Sequence, residues 1–276
     1  MRIKPSGQAC GAEVTGIDLR APLDPDTVAA LRAAWFEHLV LSFPDQHLSD
    51  DDLERFTLAF GNFGEDPFIA PIPGRAHVIA VQRAADEKTP IFAEAWHTDW
   101  SFQPVPPDGT CLYGITIPPV GGDTLFANQR LALAELPADL RARIENVTAV
   151  HSARAGYAPD GAYGNNDSGR SMDIRPSETA QALQRHPLIR VHPETGQPAI
   201  YGAPGYIVGL EGADDAPALM MELYQWQTQE RFVYRHHWQP DMLIMWDNRA
   251  LLHRATGGFD GHARRLHRTT IGGTVF

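Results

Sequence analysis

Little in this chain points to covalent cross-linking or to a membrane. Two residues are cysteine, Cys10 and Cys111, and neither sits in a paired metal-binding spacing, which argues against a disulfide framework. No apolar run is long enough to span a bilayer, and the opening MRIKPSGQACGAEV lacks the apolar core of a signal peptide. A cytoplasmic location is therefore expected. Positive charge is in deficit. At a formal net charge of −11, neither nucleic acid nor an anionic membrane surface is an expected partner, and an anionic ligand would need a local basic cluster. There is no internal repeat and no low-complexity linker, and 276 residues suit one large β domain.

What is present reads as many short strands with a few helices. Asp24-Pro25-Asp26 starts a helix running to about residue 40, with Val28, Leu31, Trp35 and Leu39 on one face. A buried strand is expected over 39–43. A second helix runs from Ser49, a plausible N-cap, through Leu53, Phe56 and Phe60 to Gly61. Further strands are expected at 77–81, 110–117, 125–126, 188–192, 199–201, 231–238, 242–246 and 268–274. Helical pattern covers 131–144, broken at Pro137, and 216–229. Residues 155–177 are rich in Gly, Asn, Asp, Ser and Pro without periodicity, so a mobile lid is expected there. An antiparallel double sheet with helices packed outside, a jelly roll, accommodates this order.

The most informative stretch is Trp96-His97-Thr98-Asp99-Trp100. If the segment is extended, His97 and Asp99 point to one side and can hold one ion together. A third ligand is needed, and the stretch with Asp247, Asn248, Arg249, His253 and Arg254 is the place to seek it. Two imidazoles and one carboxylate on one face of a metal leave three positions open, the arrangement of non-haem Fe(II) oxygenases. Arg264 and Arg268 lie four apart, so on a strand they share a face and could grip two anions or one dianion. Taken alone, Gly121-Gly122-Asp123-Thr124 is a hairpin turn, Asp247 and Asn248 are turn residues, and His236-His237 are structural, since adjacent strand positions face opposite ways.

Together, WHTDWSF at 96–102, GGDT at 121–124, WDNRALLHR at 246–254 and the two arginines resemble the Fe(II)/2-oxoglutarate-dependent dioxygenases of the taurine and 2,4-dichlorophenoxyacetate dioxygenase family. GAEVTGIDLRAPL at 11–23 and the Phe-Gly at 60–61 extend the likeness over nearly the whole chain. The resemblance implies a double-stranded β-helix, and Fe(II), 2-oxoglutarate and O2 as cofactor and co-substrates. It implies His97, Asp99 and His253 as iron ligands, Arg264 and Thr124 at the 2-oxoglutarate carboxylate, and Arg268 at the substrate anion, with Tyr206 beside it. The expected reaction is hydroxylation of a small organic anion, carboxylate or sulfonate, with release of succinate and CO2. A homo-oligomer, dimer or tetramer, is expected on the same ground.

This chain departs from the taurine enzyme at three pocket positions. Asp66 and Ile69 stand where that enzyme carries a substrate-binding histidine and tyrosine, and Ala93 replaces an asparagine. A carboxylate at 66 would repel a sulfonate, so taurine itself is not the expected substrate. Two other readings stay open from residues alone: a jelly-roll metal-dependent hydrolase and a non-catalytic module that binds a small anion.

Overall fold

Alternation along three neighbouring strands decides how the largest sheet faces its surroundings. In Val40–Phe43, Gly109–Thr116 and Leu243–Asp247, the residues Leu41, Phe43, Cys111, Tyr113, Leu243 and Met245 lie in one apolar cluster, and Val40, Leu112, Ile244 and Trp246 lie in another. The first cluster takes Leu31 and Trp35 from helix Pro25–His38, and Leu53, Phe56 and Phe60 from helix Asp50–Phe60. The second takes Phe126 and Leu251 from an opposing sheet. A strand period of two thus buries both faces, one under helices and one against a second sheet. Each large apolar side chain so buried contributes roughly 1.5–3 kcal/mol.

The computed structural model describes residues 1–165 and 167–274. Its main sheet has seven strands in the order Arg2–Pro5, Ala12–Thr15, Val40–Phe43, Leu243–Asp247, Gly109–Thr116, Arg264–Ile271, Ile79–Arg83. Only the pairing of Ala12–Thr15 with Val40–Phe43 is parallel. Opposite it, Thr124–Asn128 lies between Val233–His236 and Leu251–Ala255. A further three-stranded sheet and a hairpin complete the strand set, with helix Ala216–Gln227 burying Leu219 and Leu223 beside them. The fold is the expected double-stranded β-helix. No described helix is long and apolar enough to cross a membrane.

Local chemistry explains the helix starts. The Asp24 side chain accepts from Thr27 N with Pro25 in the first turn, and Ser49 forms a capping box with Asp52. Leu39 then takes a left-handed conformation (φ 66°), which ends the first helix one residue short of the strand. As expected, Pro137 separates two helices, Gln129–Ala134 and Ala138–Ile144.

Three expectations need correction. Residues 96–100 are not a regular strand: His97 makes one isolated bridge, Asp99 lies in a turn, and Trp100 has φ 46°. The last strand begins at Arg264, four residues before the expected 268, because Arg264–Arg268 pairs with Ile79–Arg83. Segment 155–177 is less irregular than expected at its start, opening inside the short helix Arg154–Tyr157, and it is followed at once by the 3-10 helix Glu178–Gln181. Asn166 of that segment lies outside the described residues. Strands Arg2–Pro5, Ala12–Thr15, Thr148–His151, Gln184–Pro187, Ile207–Glu211 and Leu251–Ala255 went unread, being too short to show a period.

Candidate active site

His97 and His253 are joined by their backbones. In their antiparallel bridge, His97 N–H donates to His253 O at 3.0 Å and His253 N–H donates to His97 O at 2.7 Å. Directly paired residues project side chains to the same side, and these two rings lie 4.2 Å apart. Asp99 is set by a chain of donors. Thr110 Oγ1 donates to Asp99 Oδ2 (2.6 Å), Asn248 Nδ2 donates to Thr110 Oγ1 (3.0 Å), and Trp246 Nε1 donates to Asn248 Oδ1 (2.9 Å). Asn248 O also accepts from Thr98 Oγ1 at 2.7 Å. Asp99 Oδ1 is left facing His97 Nε2 at 3.7 Å and His253 Nε2 at 3.6 Å.

The three side chains are buried, and their donor atoms lie within 4.8 Å of one another. His97 Nδ1 donates to Ala95 O at 2.8 Å, which leaves the Nε2 lone pair for a cation. Burial, with His97 and Arg268 nearby, pulls the His253 imidazole down to about 3, so it stays neutral and ligand-competent. Burial alone would push the Asp99 carboxyl up, yet Arg268, His253 and His97 hold it well below the usual carboxylate range. Two imidazoles and one ionised carboxylate on one face fit Fe(II).

The Gly-Gly-Asp-Thr turn does more than reverse the chain. Gly121 and Gly122 have φ 65° and 70°, and a Cβ on Gly122 would come within 3.3 Å of Arg264 Nε. Asp123 anchors the turn by accepting from Arg235 Nη1 at 2.8 Å and bonding His237 Nδ1 at 3.0 Å. Thr124 follows, its hydroxyl accepting from Trp238 Nε1 at 3.0 Å. Arg264 is buried, and its Nε has no partner among the described residues. Burial lowers the guanidinium to about 10, with Asp123 opposing. A desolvated cation without a hydrogen-bonded counterion is costly unless an anionic ligand meets it.

Arg268 lies on the same strand face. Its Nη2 is 3.4 Å from both Asp66 Oδ1 and Asp99 Oδ2, and its guanidinium sits 4.9 Å from the Trp100 ring centre. Asp66 also accepts from Trp100 Nε1 at 2.8 Å. Burial raises the Asp66 carboxyl, against the pull of Arg268 and Trp100. Tyr206 stands edge-on to His97 with ring centres 6.0 Å apart.

The seven residues assigned to metal, co-substrate or substrate, His97, Asp99, Thr124, Tyr206, His253, Arg264 and Arg268, line one cavity of about 330 Å³, whereas of the three departures only Ala93 does so, Asp66 and Ile69 lying outside it. Its other walls are largely apolar: Val81, Phe92, Ala93, Leu112 and Trp246 from the body, Tyr157 and Tyr163 from segment 155–177. Sequence reasoning missed Thr110 and undervalued Asn248, which read as a turn residue. A threonine inside a strand carries no signal of the carboxylate it will meet. Asp66 stood out as a departure, but its contact with Arg268 was not foreseen. His236 is structural as expected, bonding Tyr234 Oη at 2.9 Å.

Fold and site together describe a jelly roll in which two histidines and a carboxylate of metal-ligand type share one cavity with two buried arginines. The comparisons give the class its family. The model of the "Taurine catabolism dioxygenase TauD, TfdA family" matches residues 2–270, and the chain belongs to that family. An (S)-phenoxypropionate/alpha-ketoglutarate-dioxygenase of Delftia acidovorans is 34% identical over 92% of this chain and 89% of its own length. An alpha-ketoglutarate-dependent sulfate ester dioxygenase of Pseudomonas putida is 30% identical over 99% of this chain and 90% of its own. A crystal structure of a taurine dioxygenase from Burkholderia xenovorans superposes with a TM-score of 0.81 at 32% identity, covering 99% of this chain and 91% of that one. The chain is accordingly a 2-oxoglutarate-dependent oxidoreductase using Fe(II) and O2, which leaves no ground for the hydrolase or binding-module readings.

Proposed function

We propose that this chain hydroxylates a small organic anion with an apolar body, converting 2-oxoglutarate to succinate and CO2. In this reading His97, Asp99 and His253 hold Fe(II), while Arg264 and the Thr124 hydroxyl hold the distal carboxylate of 2-oxoglutarate. Fe(II), once bound with 2-oxoglutarate and O2, supplies the oxidising power for C–H hydroxylation. The protein's own residues do the rest. Thr110 and Asn248 keep one oxygen of Asp99 turned to the metal, and Arg268 attracts the substrate anion. Tyr206 and the apolar walls orient its body and exclude water.

The observation that carries this reading is Arg264, a buried guanidinium whose Nε has no hydrogen-bond partner among the described residues, in one cavity with the three metal-type ligands. The headgroups named in the relatives, a carboxylate in phenoxypropionate and a sulfate in a sulfate ester, agree with a monoanionic substrate.

Segment 155–177 serves as the lid. It meets the body through Ser171 N–H donating to Glu87 Oε2 at 3.0 Å, Gln82 Nε2 donating to Ser171 O at 2.6 Å, and Ala93 N–H donating to Tyr163 Oη at 3.3 Å. The whole chain acts as one catalytic domain in the cytoplasm, in keeping with its two buried free cysteines, and assembles as a homo-oligomer.

Anaerobic titration with Fe(II) and then 2-oxoglutarate tests the reading. A weak visible metal-to-ligand charge-transfer band should develop, and Arg264→Ala should need about 100-fold more 2-oxoglutarate to reach it, the loss expected for a buried charge-assisted bidentate contact. Iron binding without a band would overturn the dioxygenase assignment of these residues. An unchanged 2-oxoglutarate requirement in the variant would remove Arg264 from its role.

A further inference from the structure

We infer that Asp66 is a specificity-determining residue, which sets how strongly Arg268 attracts an anionic substrate by giving that guanidinium a carboxylate of its own. The inference rests on the proposed role of Arg268 as partner of the substrate anion.

Asp66 reaches this place because its loop is fastened to the strand that carries Arg268. Gly64 N–H donates to Thr270 O at 2.9 Å, and Phe63 bridges Ile271. A side chain at Gly64 would meet Thr270 Oγ1 at 2.9 Å, so the loop passes at backbone distance. The Asp66 carboxylate then lies 3.4 Å from Arg268 Nη2 and accepts from Trp100 Nε1, the ring over which that guanidinium sits. Its side chain is 8% exposed, and it is not among the residues that line the substrate cavity. It therefore acts through Arg268 and Trp100, as a positioning residue.

The charges show what this does. The Asp66 and Asp99 carboxylates, both within 3.4 Å of Arg268, together carry as many negative charges as the Arg264 and Arg268 guanidiniums carry positive ones. Fe(II) and the 2-oxoglutarate dianion balance each other. A monoanionic substrate thus meets a loaded site without net positive charge, and it competes with Asp66 and Asp99 for Arg268. Were position 66 neutral, the same substrate would complete a charge balance. Asp66 therefore weakens capture of carboxylates, sulfonates and sulfates alike, and shifts selection to the apolar walls that read the body of the substrate.

The test compares three probes of one shape: 3-phenylpropionate, 2-phenylethanesulfonate and neutral 3-phenylpropionamide. Binding to the anaerobic protein loaded with Fe(II) and 2-oxoglutarate is read from shifts in the charge-transfer band and from tryptophan fluorescence. Asp66→Asn keeps an acceptor for Trp100 and removes the charge. It should tighten both anions about tenfold, the scale of one partly screened charge contact, and leave the amide unchanged. Anions that bind Asp66→Asn no more tightly, relative to the amide, overturn the inference. So does Asp66→Ala together with Asp66→Asn weakening all three probes equally, the mark of a merely structural residue. Arg268→Ala separates the two levels. If it spares the anions, the substrate role of Arg268 itself fails. If it weakens them while Asp66→Asn has no effect, only the role of Asp66 fails.

Discussion

Two buried arginines, Arg249 and Arg264, illustrate opposite uses of one side chain. Arg249 donates through Nε and Nη2 to both oxygens of Asp247 at 2.9 and 2.8 Å, and through Nη1 to Glu194 at 3.2 Å, with Asp108 at 3.3 Å. Asp247 in turn bonds His192 Nε2 at 2.9 Å. Burial would lower the guanidinium, but Asp247, Asp108 and Glu194 raise it above its ordinary value. Arg264 is buried to a similar degree, yet among the described residues no carboxylate makes an ion pair with it, and the pull of Asp123 opposes only part of its desolvation. A cation whose counterions belong to the protein holds the fold together. A buried cation without a hydrogen-bonded counterion costs stability unless an anionic ligand meets it, the part proposed for Arg264.

Replacing each arginine by methionine tests this contrast most severely. Arg249→Met strands Asp247 in the interior and should cost about 3–5 kcal/mol, read from the urea midpoint of the apoprotein. Arg264→Met removes an uncompensated charge and should leave that midpoint unchanged or higher, while 2-oxoglutarate binding collapses. Equal destabilisation by both variants would erase the distinction.

The intermediate effect concerns Asn248, which stands between the structural network and the metal. Asn248→Ala frees Thr110 and hence Asp99, and should weaken Fe(II) binding about 10–100-fold, the range for partners that orient metal ligands. The effect is checked by anaerobic equilibrium dialysis, and undiminished affinity would make Asn248 a turn residue after all.

The most gradual effect is on pH. Burial holds His151 and His236 down to about 3 from an ordinary 6.5, and the Nε2 of each lacks a partner among the described residues. Between those values the unfolded chain binds protons that the folded chain refuses. Stability is therefore full above about pH 6.5 and falls as pH drops, by up to ~1.4 kcal/mol per pH unit for each histidine. The urea midpoint should decline from about pH 7.5 to about pH 5.5. A flat profile would mean that these imidazoles accept protons while folded.

How much was legible in advance varied with the range of the interaction. Helix 25–38 could be read because its cap, its proline and its apolar spacing are all local. The ligand set could be read because its motifs jointly resemble one family, whereas His-x-Asp by itself left the third ligand open. The strand Leu251–Ala255 escaped notice, since five residues surrounding a histidine and an arginine show no period, and its place depends on pairing with Thr124–Asn128 and His97. The extended reading of 96–100 also failed, because the turn at Trp100 is tied to Asp66 from another loop.

By itself, then, the sequence determined the fold class and the family, and it singled out the metal-type residues and the two arginines that the structure brings into one cavity, since residue chemistry and motif order are properties of the chain. Only the tertiary structure decided which charges are paired. Arg249, Arg264 and Arg268 are alike as letters, and their roles differ because ion pairing depends on distances of a few ångströms between segments far apart in the chain.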